Sequence, residues 1–411
     1  MDKVKNVPEI RFKGFQDEWK EVELNEYVIK AVDNRGKTPL ISQNGRYPLI
    51  EVISLGSSKP DYSKCTKYLN EDTFKNSLRG YVQEEDILFS TVGSIGLVSL
   101  MDGNKKAAIA QNIVAFRTLK NYNPSFVFAM FSTYDNKMRT SKIVMSAVQP
   151  SIKVSQLIHV KYFITTNIEE QTKIGNLLKN IDKKLELEKE NHEKLTNFKK
   201  AMLEEVFPKE GENVPKVRFD GFDDEWGFEA IKNLFYKKSA KSKAERTIDN
   251  GKFLIMDMGS VSETGNNISY KRTNCTEDII DEEGLIMPKD DIGGGKIIGR
   301  TAYVDQDNKY VLSDHVYLLY KLTENIIPLF AHYQINSSNF NKKIKRITTG
   351  SAQLGISWTN VGEEQLRTPS PEEQVLIGNF FKNLDEKIEL SEKKITKIEN
   401  FKKAMLEKMF V

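Results

Sequence analysis

The stretch EEQTKIGNLLKNIDKKLELEKENHEKLTNFKKAMLEEVF, residues 169–207, returns as EEQVLIGNFFKNLDEKIELSEKKITKIENFKKAMLEKMF, residues 372–410. The offset is 203 throughout without a gap, and 22 of 39 positions are identical, which excludes chance. A second pair lies upstream, where VPEIRFKGFQDEW from Val7 recurs as VPKVRFDGFDDEW from Val214. The chain is therefore written twice as lead-in, body and long segment, and a repeat of this kind has to be read before any motif. The segments that stay alike do one job twice, and the divergent bodies do two different jobs. One echo survives inside the bodies, AQNIVAFR at 110–117 against LSDHVYLLY at 312–320, with Gln111-Asn112 matching Asp314-His315.

Both repeated segments read as helices without internal proline. Ile174, Leu177, Ile181, Leu195, Phe198 and Met202 fall on heptad a and d positions, and Leu178 and Leu185 widen the stripe. Ile377, Phe380, Leu384, Ile398, Phe401 and Met405 match them, widened by Phe381 and Ile388. Polar residues interrupt the stripe midway, at Glu188 and Asn191 and at Ser391 and Lys394. Asn167 with Glu170, and Ser370-Pro371 with Glu373, read as capping boxes. At 1.5 Å per residue each helix runs to roughly 55–60 Å, too long for a single globular body. Each stripe needs a partner, and the expectation is that the two helices pack antiparallel as a coiled coil, giving a pseudo-two-fold molecule.

This divides the chain into a body at 1–166, a helix at 167–208, a body at 209–369 and a helix at 370–411, with KEGENV at 209–214 as linker. The bodies read as mixed α/β, α+β in arrangement. Strands are expected at 86–91, 113–116, 252–256 and 311–320, and post-proline helices at 125–133 and 329–337.

Composition agrees with folded domains: 411 residues, 39% hydrophobic and 29% charged. No apolar run reaches the ~18 residues of a membrane span, and MDKVKNVPEIRF lacks a signal-peptide core, so no membrane and a cytoplasmic location are expected. Cys65 and Cys275 are isolated, which argues against a disulfide framework or a zinc site.

Catalytic motifs fail in turn. Gly36-Lys37-Thr38 has Ala31 where a phosphate-binding loop needs its first glycine, and Gly293-Gly294-Gly295-Lys296 lacks the spacing and the Ser/Thr. Asn123-Pro124-Ser125-Phe126 departs from the Asn-Pro-Pro-aromatic loop of adenine-N6 methyltransferases and is a proline-started helix. His159, His192, His315 and His332 show no ligand spacing. No catalytic residue and no metal site is assigned.

A binding signal remains. The repeated helices carry 17 acidic and 16 basic residues, so the net charge of +3 leaves the rest of the chain more basic. The cations cluster as Arg35, Lys37 and Arg46; Arg139, Lys142 and Lys153; Lys271 and Arg272; and Lys342, Lys343, Lys345 and Arg346. The last group runs into a small polar loop with Ser351 and Gln353, and the matching stretch of the first body holds Gln149 and Ser151. Lysines and arginines neutralise phosphates, while Gln, Ser and Arg read base edges. These residues are the candidate double-stranded DNA contacts.

Two variable bodies, each followed by a near-identical helix opening with EEQ and an Ile-Gly pair, resemble the specificity subunit of type I restriction–modification systems. ILFSTVGSIGLV at 87–98, the AQNIVAF strand and the twice-written NFKKAMLE extend the resemblance over the whole chain. It implies that each body is a target recognition domain reading half of a bipartite DNA sequence. It implies that the helices are spacers docking two methyltransferase subunits, and that two restriction (motor–nuclease) subunits complete the complex. S-adenosylmethionine, ATP and Mg²⁺ then belong to the partners, and this chain carries no cofactor. In the second body, 291–296 stand where the first has VGSIG. A rigid spacer would fix the half-site separation, with both readers on one DNA face at a spacing near ~10.5 bp. The other classes weighed are a self-contained DNA-modifying enzyme, which lacks a cofactor loop here, and a protein-binding repeat scaffold, which leaves the basic bodies without a role.

Overall fold

The computed structural model describes residues 6–34, 36, 39–103, 106–145, 148–350 and 353–411. The chain folds into two compact units that cut across the linear repeat. One holds residues 1–190 with 393–411, the other residues 191–392. Each unit thus takes the first part of one long helix and the last part of the other. No helix among the described residues is long and apolar enough to cross a membrane.

In the first unit a four-stranded antiparallel sheet has the order Val28–Asp33, Ile113–Thr118, Ile87–Ser90, Val98–Leu100. A smaller sheet places Tyr47–Ile50 between Tyr68–Leu69 and Ala108–Ile109. Lys20–Glu23 pairs with Lys161–Ile164; the helix Pro124–Ser132 covers the large sheet, and Tyr134–Ser141 packs beside Lys161–Ile164. The second unit repeats this plan. Its large sheet runs Phe235–Lys238, Val316–Lys321, Leu285–Pro288, Ala302–Tyr303, and Gly227–Ala230 pairs with Gln365–Thr368. Its covering helices are Pro328–Asn336 and Ser338–Ile347. Bodies with little sequence in common share the strand order of the large sheet, because a buried strand asks only for apolar side chains of suitable volume.

One expected strand is divided. Residues 311–320 form two strands, Tyr310–Leu312 and Val316–Lys321, which belong to different sheets. Between them His315 takes a left-handed backbone, φ +60°, a conformation that ends strand pairing. The first body breaks likewise between Ala108–Ile109 and Ile113–Thr118.

The long helices run Ile168–Glu205 and Pro371–Lys408. Their pairing is antiparallel inside each unit: Asp182 meets Lys402 in the first, and Lys199 meets Asp385 in the second. Ile174, Leu178 and Ile181 are buried in one unit and Ile377, Phe381 and Leu384 in the other. Leu177, Leu185, Leu195, Met202, Phe380, Ile388, Ile398 and Met405 are half-buried. Phe198 and Phe401 are 47% and 50% exposed, not sealed in a two-helix seam as the heptad reading expects. The stripe turns instead toward a third helix from the body, so that Ile174 and Leu178 share a core with Phe126 and Val127. Ser391, at an a/d interruption, is buried with no hydrogen-bond partner for its hydroxyl among the described residues.

The repeated EEQ and Ile-Gly residues make this docking. Glu170 is fully buried, and Arg11 grips it through Nε at 2.5 Å and Nη2 at 2.9 Å. Arg218 and Glu373 repeat the bidentate pair at 2.8 and 2.9 Å. Gln171 donates to the Thr165 carbonyl and accepts from the Asn123 amide; Gln374 accepts from the Ile327 amide. Gly175 sits so close to the body helix that a Cβ would fall 2.6 Å from Asn123 Oδ1. The expected capping boxes form by half. Asn167 and Ser370 cap the helix amides, but Glu170 and Glu373 turn away to the arginines, where a charge-assisted pair outweighs a return bond to one amide. Phe410 packs edge-on to Trp19 and against Phe126, as Phe207 packs against Trp226 and Phe330.

Replacing Arg11 strands a buried carboxylate, so Arg11→Ala is expected to destabilise the first unit by about 3–5 kcal/mol. Hydrogen exchange would show the loss in that unit and leave the second unit protected. His332 supplies a pH test. Burial, helped by Lys199, lowers its imidazole pKa to about 3. The unfolded chain takes the proton first, near the ordinary ~6.5. The second unit is therefore at full stability above that value and loses it as pH falls toward 3. Urea midpoints at both ends of this window should fall for the native chain and fall less for His332→Gln.

Candidate nucleic-acid interface

In the first unit three loops converge beyond the strand Ile87–Ser90. The Thr91 amide donates to the Asn112 carbonyl at 2.8 Å, and Ile152 donates back to Thr91. Gly93 donates to the Pro150 carbonyl at 3.0 Å, and Ser151 bridges both Val92 and Met145. Ser90 Oγ donates to the Ser94 carbonyl and accepts from the Leu97 amide, which closes the glycine turn. Backbone bonds thus fix the frame, and the side chains at its rim stay exposed, Gln149 among them.

The second unit builds this frame from other residues. Lys289 donates to the His315 carbonyl and Ile356 to the Lys289 carbonyl, at 3.0 and 2.9 Å. Asp290–Asp291 pairs with Leu354–Gly355, and Thr349 exchanges two backbone bonds with Gly355. The Asp291 carboxylate accepts from the Gly293 and Ile297 amides and so shapes the glycine loop. Lys289 thus stands where Thr91 does, the longer glycine loop from Asp290 to Gly299 takes the place of VGSIG, and His315 that of Asn112. His315 Nδ1 lies 2.7 Å from an Asp290 carboxylate oxygen.

The sequence candidates divide among several surfaces. Gln149, Ser151 and Gln353 lie on the converging loops, and Lys153 follows directly after one of them. Arg139 and Lys142 line a hollow with Gln156, His159 and Lys161. Arg139 is also bound to Glu21 at 2.9 Å and lies over the Phe163 ring. Lys342, Lys343 and Arg346 line a hollow of about 370 Å³ in the second unit with Lys209 and Arg367, where Glu210, the one acid of its lining, binds Arg346 at 3.3 Å. Lys345 is exposed on the same helix. Lys271 is paired with Asp257 at 2.7 Å, and Arg272 donates to the Gly251 carbonyl. Their charge is partly satisfied within the body. Arg46 is exposed beside the Tyr47 ring. Arg35, Lys37 and Ser351 lie outside the described residues.

Two cations escape sequence reasoning. Lys237 and Lys289 come to 5.3 and 5.9 Å from the centre of the Tyr317 ring, beside the loop frame. Lys237 lies on the strand Phe235–Lys238 and Lys289 in the bend before Asp290–Asp291, and no linear spacing announces them. Lys296 pairs with Glu263 and ties the glycine loop to a neighbouring loop. The arrangement offers exposed polar side chains on a hydrogen-bonded backbone with cations beside it. That is the composition of a surface able to hold phosphates and read base edges.

The family model described as the type I restriction modification DNA specificity domain matches residues 16–197 and again 223–400. The chain is 24% identical over 428 aligned residues to the type I restriction enzyme MjaVIII specificity subunit of Methanocaldococcus jannaschii, covering 98% of this chain and 95% of that one. Among solved structures it resembles the S subunit of a type I restriction–modification system from M. genitalium, with TM-score 0.67, 16% identity, and coverage of 98% and 99%. It also resembles a chain from a structure concerned with assembly and conformational transition of the type I R-M system, with TM-score 0.51, 12% identity, and coverage of 95% and 97%.

Gly350 tests the loop frame. Its φ is +100°, and a Cβ would fall 2.1 Å from the Gln353 carbonyl. Gly350→Ala should displace the Thr349–Gly355 bridge and lower DNA affinity by about tenfold, the equivalent of one or two lost contacts. Gly221→Ala is the control, since Gly221 has a comparable φ with open space around it and lies away from the loops and hollows. Mobility-shift titrations of both variants would separate them.

Proposed function

The chain belongs to the type I restriction–modification DNA specificity family as a specificity subunit, and from this premise we propose that its two bodies, residues 1–166 and 209–369, each read one half of a bipartite DNA target. The observation that carries this reading is the pair of loop frames. One backbone construction holds VGSIG and Gln149 in one unit and 291–295 and Gln353 in the other. A common frame with different exposed side chains suits two readers of two different sequences. The cationic hollows beside Tyr134–Ser141 and Ser338–Ile347 would take backbone phosphates, with Lys342, Lys343, Arg346, Arg139 and Lys142 as contacts. Lys237 and Lys289 join them, and Arg46, Lys153, Ser151 and Lys345 remain contact candidates. Lys271 and Arg272 are weaker ones.

In this reading the subunit is non-catalytic and directs methyltransferase and restriction subunits to the site. S-adenosylmethionine, ATP and Mg²⁺ act in those partners. The helices support two equivalent methyltransferase contacts. Glu170, Gln171, Glu373, Gln374 and the Ile-Gly pairs are engaged internally, but Leu187 with Leu390 and Phe198 with Phe401 are duplicated and still exposed. Apolar side chains retained twice on solvent-facing positions fit a protein partner bound twice.

The test is methylome sequencing of cells carrying the chain with its methyltransferase. Exchanging residues 209–369 for those of another such body should change one half-site and leave the other intact. Change at both half-sites, or methylation by the isolated chain, would overturn the reading.

A further inference from the structure

The long helices exchange ends between the halves of the repeat, and this raises the question of what makes a body accept the other half's helix end and not its own. The aromatic anchors do not decide it. Phe207 and Phe410 are the same residue at the same repeat position, each seated against a tryptophan, Trp226 and Trp19. The central ion pairs do not decide it either. Asp182–Lys402 and Asp385–Lys199 are repeats of one another, so any pairing of halves would reproduce them.

The clasp between lead-in and helix end is different. In the first unit the Ile10 amide donates to the Lys408 carbonyl, and Glu9 binds the Lys408 ammonium at 2.6 Å. In the second unit the Val217 amide donates to the Glu205 carbonyl, and Lys216 binds the Glu205 carboxylate at 2.6 Å. The backbone contact is identical and the charges are exchanged. If two first halves paired, Glu205 would stand where Lys408 does, facing Glu9. If two second halves paired, Lys408 would face Lys216. A further pair points the same way. Lys189 binds Glu399 at 2.6 Å, and the repeat equivalent of Lys189 is Glu392, which a second-half pair would set against Glu399.

We infer that the exchanged charges of the Glu9–Lys408 and Lys216–Glu205 clasps, with Lys189–Glu399, make each half recognise the opposite half and reject a second copy of itself. Each exposed pair is a weak contributor alone. The discrimination comes from attraction in the mixed pairing together with repulsion in both like pairings. This inference concerns assembly of the chain and stands independently of the DNA reading.

A protease site inserted after Gly211 in the full-length chain provides the test. The folded protein is cut, unfolded in urea, refolded by dilution, and its paired halves are counted by native mass spectrometry. For the native sequence the ratio of mixed to like pairs is expected to be about fivefold or more above the 1:1 of random assortment, with the excess shrinking in about 0.5 M salt. Glu9→Lys with Lys408→Glu gives an opposite-charge clasp in every pairing. It breaks no contact, so the uncut protein should keep the native melting temperature while the mixed excess of the cut protein falls several-fold. An excess equal to the native one in this variant, or random assortment of the native halves, overturns the inference. A second measurement needs no refolding. In the uncut chain Lys408→Glu alone should lower hydrogen-exchange protection across 405–411, and adding Glu9→Lys should restore it. Failure of that rescue also overturns it.

Discussion

The buried arginine–glutamate pair at the start of each long helix is the interaction on which the rest depends. Arg11 and Arg218 come from the lead-ins, and Glu170 and Glu373 are fully enclosed. A carboxylate in such a place is tolerable only with a bidentate partner. The pair therefore fixes lead-in, helix and body in one geometry. Gln171 and Gln374 extend the lock to the body helix, and Gly175 and Gly378 let the backbones approach. Once the helix is held there, its apolar stripe must face both the body and the antiparallel helix end.

That constraint explains where sequence is free to vary. The docking residues are satisfied by one another, so a change in one leaves a buried group unpaired. The loop frames are held mainly by backbone bonds, which most side chains permit, with Ser90, Asp291 and Gly350 as fixed points. Ser151 and Gly355 occupy equivalent bridges, as do Asn112 and His315. A surface of this kind can take new side chains without losing its shape.

Much of this is legible in the sequence. The repeat, the long helices, the post-proline helices and the correspondence of Gln111-Asn112 with Asp314-His315 follow from spacing and identity. The division of 310–321 into two strands does not, because its signal is one left-handed histidine and not a change of hydrophobicity. Nor does the fate of Glu170 and Glu373. Three residues after a cap they read as capping partners, and only the position of an arginine more than 150 residues away redirects them. The half-exposed Phe198 and Phe401 mislead for a related reason, since a heptad pattern records that a face is apolar and not which surface covers it.

The sequence by itself determined that two similar units exist, that their helices are alike and their bodies are not, and that the net positive charge lies outside the helices. These are properties of local periodicity and of comparison along the chain. The tertiary structure alone decided that each unit borrows the other half's helix end, and that the second Glu and the Gln of EEQ face inward with the Ile-Gly pair. It alone brought Lys237 and Lys289 to one ring. Those outcomes depend on which groups meet across hundreds of residues, where burial and pairing of charge select the partner and linear spacing carries no information.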